Sequence, residues 1–414
     1  MEKTSYEENR ERLYAPLRAE GTFTWDSMYG QEYALATVHP IVSSFRREIA
    51  EATEKLGAIF ARTVQVVQHA SDDLLIELGI PQEAWDSVRF PVAEHLPTLI
   101  GRFDFAKTSD GLKMLEFNSD TPTGIVEAFY VNGRVCEYFG LENPNRGMDR
   151  HLTEAFRECL KAYSDLGFSV ERIAFSALDW HEEDAGTTRY LLRQSGLNAQ
   201  FVPLASLSVR GNSLYASLPG EGYQPIDVLY RLHAIEILAK DTDDDGYPTG
   251  AHLLSLIPKR KLALLNPVRA LLSQTKALQA LIWNLYETGT FFDEEERETI
   301  ARYMLPTYLE NRFHGKSAYV RKPIFGREGG AVSLYDRSGR LIARDQEGLY
   351  WDQPMVYQQW AELEPIEVET QTGEFRGKLL WGSFMVNGKA SAILARVDHK
   401  ITSNLSYFLP VGLE

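Results

Sequence analysis

The sequence predicts a mixed α/β (α+β) fold, and three observations carry that expectation. The first 95 or so residues show helical periodicity, residues 172–230 alternate short apolar runs with a helical stretch, and residues 317–411 read as successive strands separated by turns. At 414 residues the chain is long enough for two or three subdomains with sizeable cores. Its composition, 44% hydrophobic and 24% charged, is that of an ordinary globular chain. A net charge of −15 without any basic stripe argues against nucleic acid and against anionic membrane as main partner, while tolerating a polycationic ligand.

In chain order, His39 to Arg62 places apolar residues at steps of three and four, which predicts a helix within an N-terminal, mainly helical segment (1–95) that caps the body. Arg102 to Lys107 and Leu112 to Asn118 flank Thr108-Ser-Asp-Gly111, whose turn chemistry predicts a β-hairpin. Pro122 to Phe139 and Met148 to Leu166 look helical. Arg172 to Leu178 is a buried-strand pattern, Glu183 to Ser195 a helix, and Ala199 to Pro203 and Ile226 to Tyr230 further strands, which together predict a small parallel, Rossmann-like sheet. The acidic stretch Lys240 to Gly250 is the clearest break. Asp241, Asp243, Asp245 and Gly246 echo half of a calcium loop, but its twelfth position is His252 where a bidentate Glu is required, so a solvated loop is expected. Helices are expected from Lys259 to about Asn311, the charged run Asp293 to Arg302 being a solvated helix face. Strands follow at Ala318 to Ile324, Ala331 to Tyr335, Arg340 to Asp345, Met355 to Gln359, Leu379 to Val386 and Ala390 to Val397. This suggests regions at 1–95, 96–255 and 256–414. Cys136 and Cys159 have no His or Cys at ligand spacing and read as buried reduced thiols, which suits a cytoplasmic location. The N-terminus is charged and lacks an apolar signal core, and no run approaches the roughly 18 apolar residues of a membrane span.

Two stretches carry candidate chemistry. Side chains alternate along a strand, so Arg102 and Asp104 point one way, as do Glu116 and Asn118. Three oxygen ligands suited to Mg²⁺ and a guanidinium suited to phosphate then share a surface. An exposed hairpin with a surface ion pair is the alternative. Tyr319-Val-Arg-Lys-Pro-Ile-Phe-Gly-Arg-Glu-Gly-Gly places Lys322 near a strand end, before Gly326, Gly329 and Gly330. Glycines let backbone approach a polyphosphate, and the lysine supplies a positive charge. It is not a Walker loop, because the lysine precedes the glycines. The alternative is an ordinary hairpin with an exposed lysine.

The Arg-x-Asp and Glu-x-Asn spacing, continuing as Asn118-Ser-Asp-Thr-Pro-Thr-Gly-Ile-Val-Glu-Ala128, resembles the signature of the glutathionylspermidine synthase family, whose ligase half has an ATP-grasp fold. Further matches run in order: Trp25 with Tyr33, Gly79-Ile-Pro81 with Trp85, Val228 to Glu236, Thr275-Lys-Ala277, Tyr319 to Gly329, Met355 to Gln359, and Ala395-Arg-Val-Asp398. The resemblance implies an ATP-grasp fold with a Rossmann-like pre-ATP-grasp domain, using ATP and Mg²⁺.

It further implies that Asp104, Glu116 and Asn118 hold the metal, that Lys276 and Lys322 contact phosphates, and that Gly326 to Gly330 form a mobile lid. Thr275 replaces the usual Asn before Lys276, and the longer spacing from Lys276 to Lys322 points to an inserted helical segment near 290–310. Gln358 and Gln359 become adenine-side candidates, with Tyr357 and Trp360 as packing groups. Arg102 and Arg396 would meet the transferring phosphoryl group, and Asn404 is a further nucleotide-site candidate. Thr121, Thr123, Arg231 and Glu236 are candidates on the substrate side. Glu182, Glu183 and Asp184 could face an amine, although acidic residues at a helix N-terminus also simply complement its dipole.

The implied reaction joins a small-molecule or peptide acid to an amine or polyamine as an amide, through an acyl phosphate. No nucleic acid or membrane takes part. The ligase signatures begin near residue 25 and neither cysteine lies in an amidase-like context, so ligase without the amidase activity of bifunctional relatives is expected. A catalytically silent ATP-binding scaffold, or a ligase for a different acid and amine, are the alternatives.

Overall fold

The computed structural model describes residues 5–414 except 219, 221, 328, 347, 404 and 405. Its organising element is the expected hairpin. Strands Ile100–Thr108 and Gly111–Asn118 pair antiparallel, with Arg102 opposite Asn118 and Asp104 opposite Glu116, and the register shifts just after Asp104. The alternation does what the sequence requires of it. Phe103, Phe105 and Phe117 are buried in the main core, where Phe103 and Phe117 stack with ring centroids 3.8 Å apart. The intervening polar residues are left to the other face.

Ile100–Thr108 continues the sheet into Gly373–Val386, then Lys389–Asp398 and Tyr407–Leu409, while Glu364–Thr370 pairs with part of Gly373–Val386. The helix Ser43–Val67 presents Phe45, Ile49, Leu56, Phe60 and Val64 to this sheet, and Phe60 packs edge-on against both Phe103 and Phe117. Two departures from expectation meet here. The helix begins at Ser43, because His39–Ile41 forms a parallel edge strand with Val411–Leu413, a place that tolerates Pro40. Nor does the helix merely cap the body, since its apolar stripe is part of the main core.

The second sheet is parallel, in the order Ala263–Leu265, Val228–Arg231, Ile173–Ala177, Ala199–Pro203, with helix Glu182–Ser195 as one crossover. Ala263–Leu265 falls where helices were expected; so short an apolar run has no periodicity to separate strand from buried helix. A small meander, Leu207–Arg210, Ser213–Leu218 and Gly222–Ile226, precedes Val228–Arg231. The third sheet is antiparallel, in the order Thr307–Tyr308, Met355–Gln359, Tyr319–Pro323, Ser333–Tyr335, Leu341–Arg344. Helix Glu294–Tyr303 occupies the stretch read as an insertion and begins with a capping box between Asp293 and Glu296. Strand pairing crosses residue 255 in two sheets, so regions divided there share hydrogen-bonded structure.

The acidic 240–250 loop is held by contacts within it and by one to His233. Asp243 accepts from the backbone of Asp245 and Tyr247 at 3.1 and 2.8 Å, and Asp241 meets His233 at 2.8 Å. Both cysteines are buried and unpaired. Among the described residues no helix is long and apolar enough to cross a membrane.

Candidate active site

The polar face of the hairpin forms one wall of a cleft. Asp104 is 1% exposed and accepts from Arg102 Nε and Nη2 at 2.7 and 3.0 Å, and from Arg396 Nη2 at 2.9 Å. Arg102 Nη1 also donates to the Thr123 carbonyl at 2.6 Å. Arg396 arrives from Lys389–Asp398, two strands across the sheet, which is why its partner was not evident from local sequence. Asn118 Nδ2 lies 3.3 Å from Glu116 Oε1 and 3.4 Å from Asp104 Oδ2.

Lys276 closes the next side of the cleft. Its Nζ is 3.1 Å from Glu116 Oε2 and donates to the Gly326 carbonyl at 2.9 Å. Thr275 serves as N-cap of helix Lys276–Thr288, its Oγ1 accepting from Ala277 N at 3.3 Å and donating to the Leu78 carbonyl at 2.9 Å. Thr275 thus supplies the side-chain cap of this helix. Lys322 Nζ donates to the Leu115 carbonyl at 2.7 Å and to Gln358 Oε1 at 2.9 Å. Burial, with Lys276 adding to it, outweighs the attraction of Glu116 and Asp104 and lowers the Lys322 ammonium to about 7. Glu116 goes the other way. Burial alone would raise it, but Lys276 and Lys322 overcome that and hold it well below the ordinary carboxylate range.

The cleft combines the charged Asp104, Glu116, Lys276 and Lys322 with the apolar Val320 and Leu334, and both Gln358 and Gln359 border it. The Gln358 amide is engaged inside the protein, accepting from Lys322 and donating to Thr307 Oγ1 at 3.1 Å. Gln359 is half-buried at the rim, and Tyr357 lies 6.1 Å from the Tyr319 ring. Gly326, Gly329 and Gly330 line the cleft as well. Gly329 sits at φ +73°, and a Cβ there would lie 1.9 Å from the Thr402 carbonyl oxygen, so this loop is built around the missing side chain. Asn404 lies outside the described residues.

The remaining candidates divide. Arg231, 1% exposed, forms a two-pronged ion pair with Asp120 and donates to the His233 carbonyl at 2.8 Å, while Ile235 N donates to the same carboxylate at 2.9 Å. This pair ties the segment after the hairpin to the parallel sheet. Asp120→Ala, which strands the Arg231 charge, is expected to cost about 3–5 kcal/mol in a denaturant titration. Glu236 and Thr121 are joined by Arg327, whose Nε and Nη2 meet Glu236 Oε1 at 3.3 and 3.0 Å and whose Nη1 donates to Thr121 Oγ1. Arg327 was missed by sequence reasoning. Its signal was available, as the one cation inside the glycine-rich 326–330 segment. Glu182 is exposed and Glu183 half-buried at the start of helix Glu182–Ser195, where His181 Nδ1 accepts from Asp184 N at 3.3 Å.

The donor chemistry of Asp104, Glu116 and Asn118 fits Mg²⁺. Two carboxylates share one face with the Asn118 amide, whose Nδ2 is turned toward both of them, and the cation's remaining positions would fall to water and phosphate oxygens. Among the described residues no group of three or more His, Cys, Asp or Glu side chains could hold a metal ion.

The family described as glutathionylspermidine synthase preATP-grasp matches residues 6–414. The chain belongs to this family. Among curated relatives, a putative acid–amine ligase of Haemophilus influenzae is 28% identical over 325 residues, covering 76% of this chain and 74% of the relative. The bifunctional glutathionylspermidine synthetase/amidase of Escherichia coli is 24% identical over 341 residues, covering 78% and 51%. Trypanothione synthetase of Crithidia fasciculata is 23% identical over 382 residues, covering 87% and 53%. The chain thus matches about half the length of the latter two. The glutathione synthetase like-effector of Globodera pallida in its apo form superposes with a TM-score of 0.58 at 13% identity, covering 100% of this chain and 98% of that one, a likeness of fold.

Proposed function

We propose that this glutathionylspermidine synthase family member is an ATP-dependent carboxylate–amine ligase of ATP-grasp architecture, forming an amide and releasing ADP and phosphate. The observation that carries the reading is the convergence of Arg102, Arg396, Lys276 and Lys322 on Asp104 and Glu116 in one cleft beside a glycine loop. Lys276 and Lys322 would hold the phosphates, the 326–330 loop would cover them, and Val320 and Leu334 would offer the base an apolar surface. Asp104, Glu116 and Asn118 would hold Mg²⁺, which supplies Lewis-acid charge to the phosphates. Arg102 and Arg396 would meet charge on the phosphoryl group as the substrate carboxylate takes it to become an acyl phosphate. Attack by an amine would then expel phosphate. The names of the relatives support a peptide acid such as glutathione and a polyamine. Burial raises the Cys136 and Cys159 thiols to about 11 and about 12, which suits inert thiols in the cytoplasm.

The test is ADP release from ATP and Mg²⁺ across a matrix of glutathione and other short peptide acids with spermidine and other amines. Release that requires one acid and one amine, and disappears in Glu116→Ala, supports the ligase. ATP binding with no stimulating pair favours a silent nucleotide-binding scaffold.

A further inference from the structure

Amide formation needs a neutral amine, yet an alkylamine in water at pH 7 is an ammonium ion, and none of the residues assigned above accepts its proton. One buried carboxyl beside the cleft is positioned to do so. Glu127 is 0% exposed and begins the π-helical turn Glu127–Val131, a widened turn of the kind often found at functional sites. Its Oε1 accepts from Trp25 Nε1 at 2.8 Å and from the Tyr33 hydroxyl at 3.0 Å, while its Oε2 is buried with no hydrogen-bond partner among the other described side chains. A purely structural anchor for Trp25 and Tyr33 needs only an amide oxygen here. A carboxyl with one oxygen unspent costs free energy that such a role leaves unexplained.

The surroundings connect this carboxyl to both sides of the proposed reaction. The Tyr33 hydroxyl is within electrostatic reach of Glu127, of Glu183 at the start of helix Glu182–Ser195, and of Arg396 from the phosphoryl side. Glu127 in turn feels Arg102. Helix Glu182–Ser195 rests directly on Trp25, since a Cβ at Gly186 would lie 2.1 Å from its ring. Tyr33, 9% exposed against 0% for Glu127, is the more accessible of the two. Burial raises both groups, Glu127 against the opposing pull of Trp25, its own backbone N–H, Tyr33 and Arg102, which makes the carboxylate a better proton acceptor than one in water.

We infer that Tyr33 and Glu127 form the proton relay that neutralises the incoming amine, an assignment that rests on the ligase reading. One ammonium proton passes to the Tyr33 oxygen as the Tyr33 hydroxyl proton passes to the Glu127 carboxylate. The neutral nitrogen then forms the C–N bond, the C–O bond to phosphate breaks with its electron pair on phosphate, and the second proton lost by nitrogen ends on the departing phosphate. Glu127 returns its proton to solvent through Tyr33. Tyr33 touches the amine; Glu127 is a positioning residue that acts through it.

The experiment compares spermidine with hydroxylamine, which is neutral at pH 7 and needs no base, as acceptors for the acid activated by wild type, Glu127→Gln and Tyr33→Phe. Glu127→Gln keeps an oxygen for Trp25 and Tyr33. Both variants should lose about 10²-fold in spermidine-dependent turnover at pH 7, yet form hydroxamate within about threefold of wild type. Their spermidine rates should also climb with pH more steeply than that of wild type. Should Glu127→Gln fail to fold, Tyr33→Phe, which deletes one hydroxyl, decides the matter alone. Equal loss with both acceptors, or no loss with spermidine, would overturn the relay. Absence of hydroxamate from wild type with every acid would overturn the ligase reading itself, and the relay with it.

Discussion

Arg396→Ala is expected to lower acid- and amine-dependent ADP release by about 10²–10³-fold while leaving the fold in place. The two effects separate because of how Asp104 is satisfied. Its carboxylate keeps both contacts from Arg102, at 2.7 and 3.0 Å, when Arg396 is removed, so no buried charge is stranded. The backbone pairing of Arg396 with Leu380 and Phe408 does not depend on the side chain. Arg396 also has a buried Nε without a partner among the described residues, a donor with capacity to spare for a ligand. If the guanidinium acts only on the transferring group, kcat should fall and the KM for ATP should stay near the wild-type value. Arg102→Ala is the control that cannot give so clean an answer, since it also abandons the Thr123 carbonyl. Steady-state kinetics alongside thermal melts would check this. A melt lowered as far as that of Arg102→Ala, with activity lost in proportion, would make Arg396 a structural residue.

The hairpin that anchors this site was legible because both of its faces are written into a period of two. Arg102, Asp104, Glu116 and Asn118 alternate with Phe103, Phe105 and Phe117, and only one placement buries the rings and leaves the charges together. The parallel sheet was legible for the same kind of reason, from strand-helix-strand alternation between Ile173 and Arg231. What escaped depends on partners distant in sequence. His39–Ile41 is a strand only because Val411–Leu413 lies beside it, and Ala263–Leu265 only because Val228–Arg231 does. The site shows the same limit. Gln358 borders the cleft, and only the packed structure brings Lys322 and Thr307 to its amide. Glu127 stood in the family signature, yet nothing local said that its carboxyl meets Trp25 and Tyr33 from the N-terminal segment. Arg327 was visible, but its bridge from the glycine loop to Glu236 was not.

Lys322→Met is expected to weaken ATP binding by about 100-fold, the loss of a charge-assisted contact worth about 1.5–3 kcal/mol, and to remove a pH dependence that wild type should show. In the free protein the ammonium is opposed by burial first and by Lys276 second, and it titrates at about 7 instead of 10.5. Above pH 7 the group is therefore mostly neutral. A polyphosphate beside it restores the charged form, so binding takes up a proton, and wild-type affinity should fall by up to about tenfold per pH unit between pH 7 and 9. Calorimetry at pH 8 in two buffers of different ionisation enthalpy would register that proton in wild type and miss it in Lys322→Met. Stability carries the complementary sign. The unfolded chain keeps this proton until pH approaches 10.5 while the folded chain gives it up near 7, so the unfolded state binds more protons in that window. The Lys322 contribution to folding thus becomes more favourable as pH rises from 7 toward 10, a trend the methionine variant should lack in melts across that range. A wild-type affinity that stays flat from pH 7 to 9 would mean that Lys322 keeps its proton in the empty cleft, and that Glu116 and Asp104 outweigh burial there.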